Sequence, residues 1–260
     1  NPYGGATGTY GLLNCIAIDY GAISAVVWFY EPSGGVGSIL APAFYQYPSS
    51  PPSTWAGLNW LYVGTNGYLY ASDWYSTNTY VYTSTPITPG WHMAVIEEWS
   101  ASTSGPYYIA LYLDGKFVGQ SSTSTLPAMF GAITPIPAYS DIGTGWVNNW
   151  PGTPSGWFFF NGYIALVALY PTVLNSTQVA SIGNGTNFKG LPPGYVALYV
   201  GNSYVPSSQV WVDASGHGYN AQGYNGSLNT VNVINNAPYM FNLYSNTYTY
   251  TVPSTTHSTT

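Results

Sequence analysis

The chain has 260 residues, only 4% of them charged, and a formal net charge of −6 at neutral pH. With Lys116 and Lys189 as the only lysine or arginine side chains, the sequence excludes nucleic-acid binding, which needs a basic surface. The single cysteine, Cys15, excludes an intrachain disulfide and a cysteine metal cluster, and we expect it to be a buried small hydrophobe. No apolar run is long enough to insert into a membrane, so we expect a secreted protein at the cell surface.

Strands dominate the predicted secondary structure, because short runs rich in Val, Ile, Tyr, Trp and Thr alternate with Gly, Pro, Asn and Ser clusters. Asn66-Gly67 and Asp114-Gly115 supply the positive φ that tight hairpin turns need. One short helix is predicted after Pro171, with Asn175 as its cap and Gln178 completing a capping box. The predicted strands are residues 22–30, 58–64, 67–72, 78–84, 91–99, 107–113, 116–122 and 162–170.

Three segments in one order carry a family resemblance: "WHMAVIEEW" (91–99), "ALYLDGKFVGQSS" (110–122) and "NGYIALVALYPTVLNSTQVASI" (161–182). They resemble the laminin-G-like, concanavalin A-like jelly-roll family. The resemblance implies an all-β fold, an antiparallel β-sandwich of jelly-roll type. "AISAVVWFYEPSGGVGSIL" (22–40) resembles an earlier strand of the family, which places Trp28 in the core. It also gives His92 a structural place in the Trp-His strand.

Two further segments resemble the beginning of that family's domain but stand at the end of this chain, at 194–226 and 239–253. We therefore divide the chain into a main body, residues 1–190, and a displaced segment, residues 191–260. The displaced segment completes either the same sandwich, as a circular permutation, or a neighbouring one by strand exchange. A repeat cut from a longer polyprotein would have the same order.

The sequence contains no recognisable catalytic motif, so we expect a protein that is not an enzyme. Glu97 and Glu98 are adjacent in a predicted strand, so their side chains point to opposite faces and cannot both reach one sugar. A glycoside hydrolase is therefore the third choice. His92, His217 and His257 lack the spacing of a metal site.

Candidate binding and modification residues are few. No cofactor is expected apart from calcium. The family resemblance indicates Asn242 as a calcium ligand, and the sequence indicates Asp213. The competing interpretation is that the Asp213 side chain caps its own turn. Aromatic rings stack on pyranose faces, and Trp146, Trp150 and Trp157 are the candidates for that role. Asn-x-Ser/Thr triplets predict glycosylation at Asn175, Asn184 and Asn225.

The leading functional hypothesis is a structural subunit of an extracellular filament, pilus-like thread or sheath, a homopolymer built by β-strand donation between copies. The alternative is a secreted carbohydrate-binding, lectin-like adhesion module whose partners are cell-surface glycans. The displaced segment and the uncharged Tyr, Ser, Thr and Asn-rich surface favour the filament. The predicted donor strand contributes Tyr239, Phe241, Leu243, Tyr244, Tyr248, Tyr250 and Val252.

Overall fold

The structure is a computed structural model, and it describes part of the chain. The described residues are 7–10, 22–43, 59–72, 79–100, 105–124, 139–147, 149–205, 207–208 and 210–223.

Among the described residues, two large antiparallel sheets face each other, one of six strands and one of nine. The strands of the six-stranded sheet are β2 (Ala22–Glu31), β7 (Gly90–Ser100), β8 (Tyr107–Leu113), β9 (Lys116–Thr123), β13 (Tyr163–Tyr170) and β16 (Ala197–Val200). Their order across the sheet is β16-β13-β2-β7-β8-β9.

The strands of the nine-stranded sheet are β1 (Thr7–Tyr10), β3 (Gly37–Ala43), β4 (Leu61–Val63), β5 (Leu69–Ser72), β6 (Tyr80–Tyr82), β10 (Tyr139–Ile142), β17 (Tyr204–Val205), β18 (Val210–Trp211) and β19 (Ala221–Gly223). Their order across the sheet is β17-β18-β19-β1-β10-β3-β4-β5-β6. Two small ribbons pair β11 (Trp146–Val147) with β12 (Gly156–Trp157) and β14 (Gly183–Asn184) with β15 (Asn187–Phe188).

The main core fills the space between the two sheets. Alternate residues of each strand point inward, because successive side chains of a strand lie on opposite faces. The six-stranded sheet contributes Val27, Ile96 and Leu111, and the nine-stranded sheet contributes Leu61 and Leu69. These strands therefore form a β-sandwich, as the alternating sequence pattern predicts.

A second apolar cluster lies on the outer face of the six-stranded sheet. Trp28, Val95 and Leu166 from the sheet pack there against the helix α1 (Ser176–Ile182) through Val179 and Ile182. The helix and the residues on either side of it therefore cover the β2 and β13 half of that face.

The predicted elements are confirmed where the structure describes them. Each predicted strand coincides with a strand, although those predicted at 58–64 and 78–84 are shorter in the structure, at Leu61–Val63 and Tyr80–Tyr82. The helix begins after the cap Asn175, whose capping box with Gln178 is present, and ends at Gly183. Asp114 has a φ of 52° and Gly115 a φ of 76°, whereas at the other turn the positive φ belongs to Gly67.

The first part of the displaced segment lies in the sandwich of its own chain. β16 pairs with β13, and β19 pairs with β1. Residues 224–260 lie outside the described residues, so the choice between permutation and strand exchange stays a prediction for the rest of the segment. No helix within the described ranges is long and apolar enough to cross a membrane.

Candidate functional site

The outer face of the six-stranded sheet carries aromatic rings along β7, β8 and β9. Trp99 and Tyr108 are cross-strand partners and stack with ring centroids 5.1 Å apart at 18°. Tyr112 and Phe117 are also partners and meet edge to face at 5.2 Å. We call these four residues the aromatic face. Phe117 is 57% exposed and the other three rings are half-buried, so solvent reaches each of the four rings in part.

A row of small and polar side chains crosses the sheet between the two ring pairs. Glu97 is the cross-strand partner of Ala110, and Ala110 is the partner of Gln120. Tyr108 and Tyr112 lie two residues to either side of Ala110, so about 13 Å of strand separates them. The exposed Gln120 and the buried Glu97 therefore lie at opposite ends of a row bounded by aromatic rings.

Glu97 is 2% exposed, and its surroundings disfavour its charge. Burial raises the pKa of Glu97 to about 7, although a hydrogen bond from the Leu174 backbone partly opposes this rise. Among the described residues, the Oε1 atom has no hydrogen-bond partner. The carboxyl group is thus a buried acceptor with unused capacity.

The loop before α1 borders this row on the side of β2. Ser24 is the cross-strand partner of Glu97, and its hydroxyl group donates to the Thr172 carbonyl at 2.7 Å. The Leu174 amide donates to the Ser24 hydroxyl at 3.2 Å. These bonds hold the loop against the sheet beside Glu97.

Glu97 and Glu98 lie on opposite faces of the sheet, as their adjacency predicts. Ala94 and Ile96 belong to the core between the sheets, which places Glu98 on that side. Val95 belongs to the outer cluster, which places Glu97 with it. The two carboxyl groups therefore do not form a pair across one sugar-binding cleft.

The three tryptophans predicted to bind sugar lie elsewhere and differ in exposure. Trp146 and Trp157 are partners in the β11 and β12 ribbon, and the Trp146 side chain lies outside the described part of the structure. Trp157 is half-buried and lies 6.3 Å from the ring of Phe159, which is 43% exposed. Trp150 is only 3% exposed because it packs beside Tyr62, so the expectation of an open ring is wrong for Trp150.

A third aromatic surface is on the outer face of the nine-stranded sheet. Tyr62, Tyr70 and Tyr82 are cross-strand partners and stack in series, with centroid separations of 4.9 and 5.3 Å. Tyr82 is 48% exposed at the edge strand β6. The described part of this ladder carries no carboxyl group comparable to Glu97, so we rank it below the aromatic face.

Asp213, the calcium candidate, already has donors on both of its oxygens. Its Oδ1 accepts from the amides of Leu198 and Ser215, both at 2.9 Å. Its Oδ2 accepts from the Ser215 hydroxyl group and from the Tyr219 amide. Burial alone would raise the pKa of Asp213, but these hydrogen bonds outweigh it and lower the pKa. This geometry fits a turn cap better than a cation ligand.

The calcium assignment has no further support from the described residues, none of which form a group of three or more His, Cys, Asp and Glu side chains suited to a metal. Asn242, the other candidate, lies outside them. The calcium site stays a prediction.

Two of the three sequons are in described segments around the helix. Asn175 is exposed, and its Oδ1 accepts from the Gln178 amide as the helix cap. Asn184 is half-buried, and its Oδ1 accepts from the Thr186 amide, the Thr186 hydroxyl group and the Asn187 amide. Glycosylation at both positions stays a prediction. Asn225 and the proposed donor strand, residues 239–252, lie outside the described ranges.

Comparison with known proteins gives a likeness of fold. No family model matches the chain, and no curated protein matches it. A solved structure of a putative carbohydrate binding protein from Bacteroides ovatus is similar over 85% of this chain, at 13% identity and a TM-score of 0.51. This chain spans 58% of the length of that protein.

Two further solved structures have lower scores. One is the CBM40 module of the Ruminococcus gnavus IT-sialidase bound to α2,3-sialyllactose, at 11% identity and a TM-score of 0.44, over 68% of this chain and 94% of the module. The other is the leech intramolecular trans-sialidase, at 11% identity and a TM-score of 0.46, over 72% of this chain and 27% of that protein.

The sequence indicates which side of β8 carries aromatic rings, but it does not indicate all four residues of the aromatic face. Tyr108, Ala110 and Tyr112 alternate with the core residues, which indicates that they share a surface. The hairpin at Asp114-Gly115 places β9 beside β8, so Phe117 could have been added to that surface from the turn alone. Gln120 could not, because a register shift between Leu111 and Tyr112 makes Gln120, and not Gly119, the partner of Ala110. The position of Trp99 additionally requires the register of β7.

Proposed function

We propose that this protein is a carbohydrate-binding β-sandwich module and that the aromatic face is its ligand site. The observation that carries the proposal is the combination of partly exposed rings with the polar row from Glu97 to Gln120. Tyrosine, tryptophan and phenylalanine rings give sugars an apolar platform, and polar groups placed among them fix a ligand's orientation.

The likeness in fold to the putative carbohydrate binding protein of Bacteroides ovatus supports the same proposal. A shared fold alone does not assign a function, so the assignment depends on the residues of the face. The proposal includes a laminin-G-like origin for the sandwich, on the sequence resemblance of residues 91–182, and an extracellular location.

The module acts by binding and not by catalysis. Retaining glycosidases need two carboxyl groups about 5 Å apart, and inverting ones need a wider pair, on the two sides of one glycosidic bond. Glu97 and Glu98 lie on opposite faces of the sheet, so neither supplies the second carboxyl group for the other. When the protein is incubated with a sugar that it binds, the sugar should stay intact. Release of a cleaved sugar product would contradict this part of the proposal.

The filament remains the competing hypothesis from the sequence. Its donor strand lies outside the described residues, and no described contact favours it. Negative-stain microscopy of the purified full chain separates the two: we expect dispersed particles, and regular threads would favour the filament.

The direct test of sugar binding is a glycan array probed with the labelled full chain. We expect competable binding to a defined group of glycans by protein that is monomeric in size-exclusion chromatography. The proposal would be overturned if the protein bound no glycan on the array, or if free sugar did not displace it.

A further inference from the structure

We infer that the aromatic face takes an uncharged glycan and that the carboxyl group of Glu97 accepts a hydrogen bond from one of its hydroxyl groups. This inference rests on the proposed carbohydrate-binding function and adds the chemical class of the ligand and its polar anchor.

The carboxyl group of Glu97 has an acceptor atom without a partner in the described part of the structure. Glu97 is almost fully buried, and among the described residues its Oε1 has no donor. A buried polar atom without a partner costs about 1–3 kcal/mol and is rare in folded proteins, so such an atom calls for an explanation. A sugar hydroxyl group is small and donates one hydrogen bond, which is the partner that this atom lacks.

Glu97 lies close to the rings on which a sugar would stack. Its row continues through Ala110 to Gln120, and the stacked pair of Trp99 and Tyr108 lies beside that row. Ala110 adds only a methyl group to this row, but both Ala110 and Glu97 are almost fully buried, so neighbouring side chains cover the row at this point. Once these side chains move, a sugar ring stacked on the aromatic pair can direct hydroxyl groups toward both Glu97 and Gln120.

The charges near the site favour a neutral ligand over an acidic one. Sugars that carry a carboxylate need a cation to compensate for the loss of water, and arginine is the usual partner. The chain has no arginine, and among the described residues neither of its two lysines forms an ion pair with Glu97. Lys116 is the partner of Leu113, which packs toward the core between the sheets, so it lies on the opposite side of β9 from Phe117. Lys189 follows β15, beyond the helix. An acidic sugar would meet Glu97 without a compensating charge.

A ligand reaches the buried carboxyl group of Glu97 only if neighbouring side chains move, and we expect Tyr112 to be one of them. Tyr112 is half-buried and lies close enough to Glu97 for that carboxylate to add to the rise in the pKa of Tyr112 that burial causes. Its edge contact with the exposed ring of Phe117 leaves it near the surface. We expect this ring to rotate when a sugar enters.

The experiment compares Glu97→Leu with Glu98→Gln in the full chain, by calorimetry with a neutral oligosaccharide and with its counterpart carrying a carboxylate. Glu98 is the matched control because it is the adjacent carboxyl group on the opposite face. We expect the native chain to bind the neutral sugar at least tenfold more tightly than the acidic one. Glu97→Leu should lose at least tenfold in affinity, and Glu98→Gln should stay within threefold of the native chain.

The outcomes separate this inference from the proposed function. If no sugar binds to the native chain, the proposed function fails. If sugars bind but the acidic one is preferred, or Glu97→Leu binds as the native chain does, the inference is overturned and the proposed function stands. Should Glu97→Leu fail to fold, the carbon-13 resonance of the Glu97 carboxyl group in the native chain decides: it should move on saturation with the sugar, and an unchanged resonance would contradict the contact.

Discussion

His92 and Asp114 form an ion pair at the start of β7, with 2.9 Å between Nδ1 and Oδ2. The second ring nitrogen of His92 lies 2.7 Å from the Thr88 carbonyl oxygen. Both partners of the ring are acceptors, so the doubly protonated imidazolium is the form that donates to both. The other oxygen of Asp114 accepts from the backbone amides of Met93 and Gly185. These bonds connect the hairpin between β8 and β9 to β7 and to the β14–β15 ribbon.

This pair makes the free energy of unfolding depend on pH. Burial would lower the pKa of His92, but the hydrogen bonds to Asp114 and Thr88 outweigh it and raise the pKa above 6.5. Burial would raise the pKa of Asp114, but the bonds from His92, Met93 and Gly185 outweigh it and lower the pKa below 3.8. The contribution of His92 to the free energy of unfolding is complete below pH 6.5 and is lost as the pH rises through the pKa of His92 in the folded chain. The contribution of Asp114 is complete above pH 3.8 and is lost in stronger acid.

We therefore expect greater stability at pH 5 than at pH 8 in urea unfolding followed by tryptophan fluorescence. Asp114→Asn should reduce the difference, because it removes the charge that holds the proton on His92. A native chain that gains stability from pH 5 to pH 8 would contradict the ion pair.

Glu97 contributes to the same trend from the other face of the sheet. An unfolded chain ionises this carboxyl group near pH 4.5 and the folded chain only near pH 7, so stability falls as the pH rises between those values. The full loss of unfolding free energy from ionising Glu97 is roughly 3 kcal/mol, since each tenfold change in the acid dissociation constant corresponds to about 1.4 kcal/mol. Glu97→Gln should remove this part of the loss, so that the variant exceeds the native chain in stability at pH 8 but not at pH 4. Equal stabilities of variant and native chain at pH 8 would contradict the raised pKa.

Gly185 allows the β14–β15 ribbon to pack tightly on β7. A Cβ atom at this position would overlap the backbone carbonyl of Trp91, and the Gly185 carbonyl accepts a hydrogen bond from the indole of Trp28 at 2.9 Å. We expect Gly185→Ala to lower the free energy of unfolding by about 3 kcal/mol, since backbone has to move to relieve the overlap. The neighbouring exposed Thr186→Ala serves as the control and should cost less than about 1 kcal/mol. Similar losses for the two variants would show that this close approach is not required.

Asn175 combines a helix cap with a predicted glycosylation site, and two substitutions separate these roles. Asn175→Ala removes the acceptor of the Gln178 amide and should cost about 1 kcal/mol of stability in protein without glycans. Thr177→Ala destroys the sequon and leaves the capping box in place, so it should change stability by less than about 0.5 kcal/mol. Thermal unfolding of both variants measures this difference, and an Asn175→Ala variant as stable as the native chain would be at odds with the cap.

The fold could be predicted well because strands rich in Val, Ile, Tyr and Trp are separated by turns with distinct residues. Alternation within 107–113 places Ile109, Leu111 and Leu113 on the core side of β8, and the helix cap at Asn175 is indicated by four residues. The site was harder to predict because it joins three strands, and Trp99 meets Tyr108 only through the register of β7 with β8. Exposure could not be read from residue type either: Trp150 and Phe117 are both aromatic, but only Phe117 is open to solvent.

The most direct test of the aromatic face as a sugar-binding site is calorimetry of the best glycan with Phe117→Ala and Tyr82→Ala. The two rings are similarly exposed, at 57% and 48%, but lie on the outer faces of different sheets, so each variant loses an open ring at little cost to the core. We predict that Phe117→Ala weakens binding about tenfold, which is about 1.4 kcal/mol, and that Tyr82→Ala leaves it unchanged. Unchanged affinity for Phe117→Ala, or a larger loss for Tyr82→Ala, would contradict the assignment of the site.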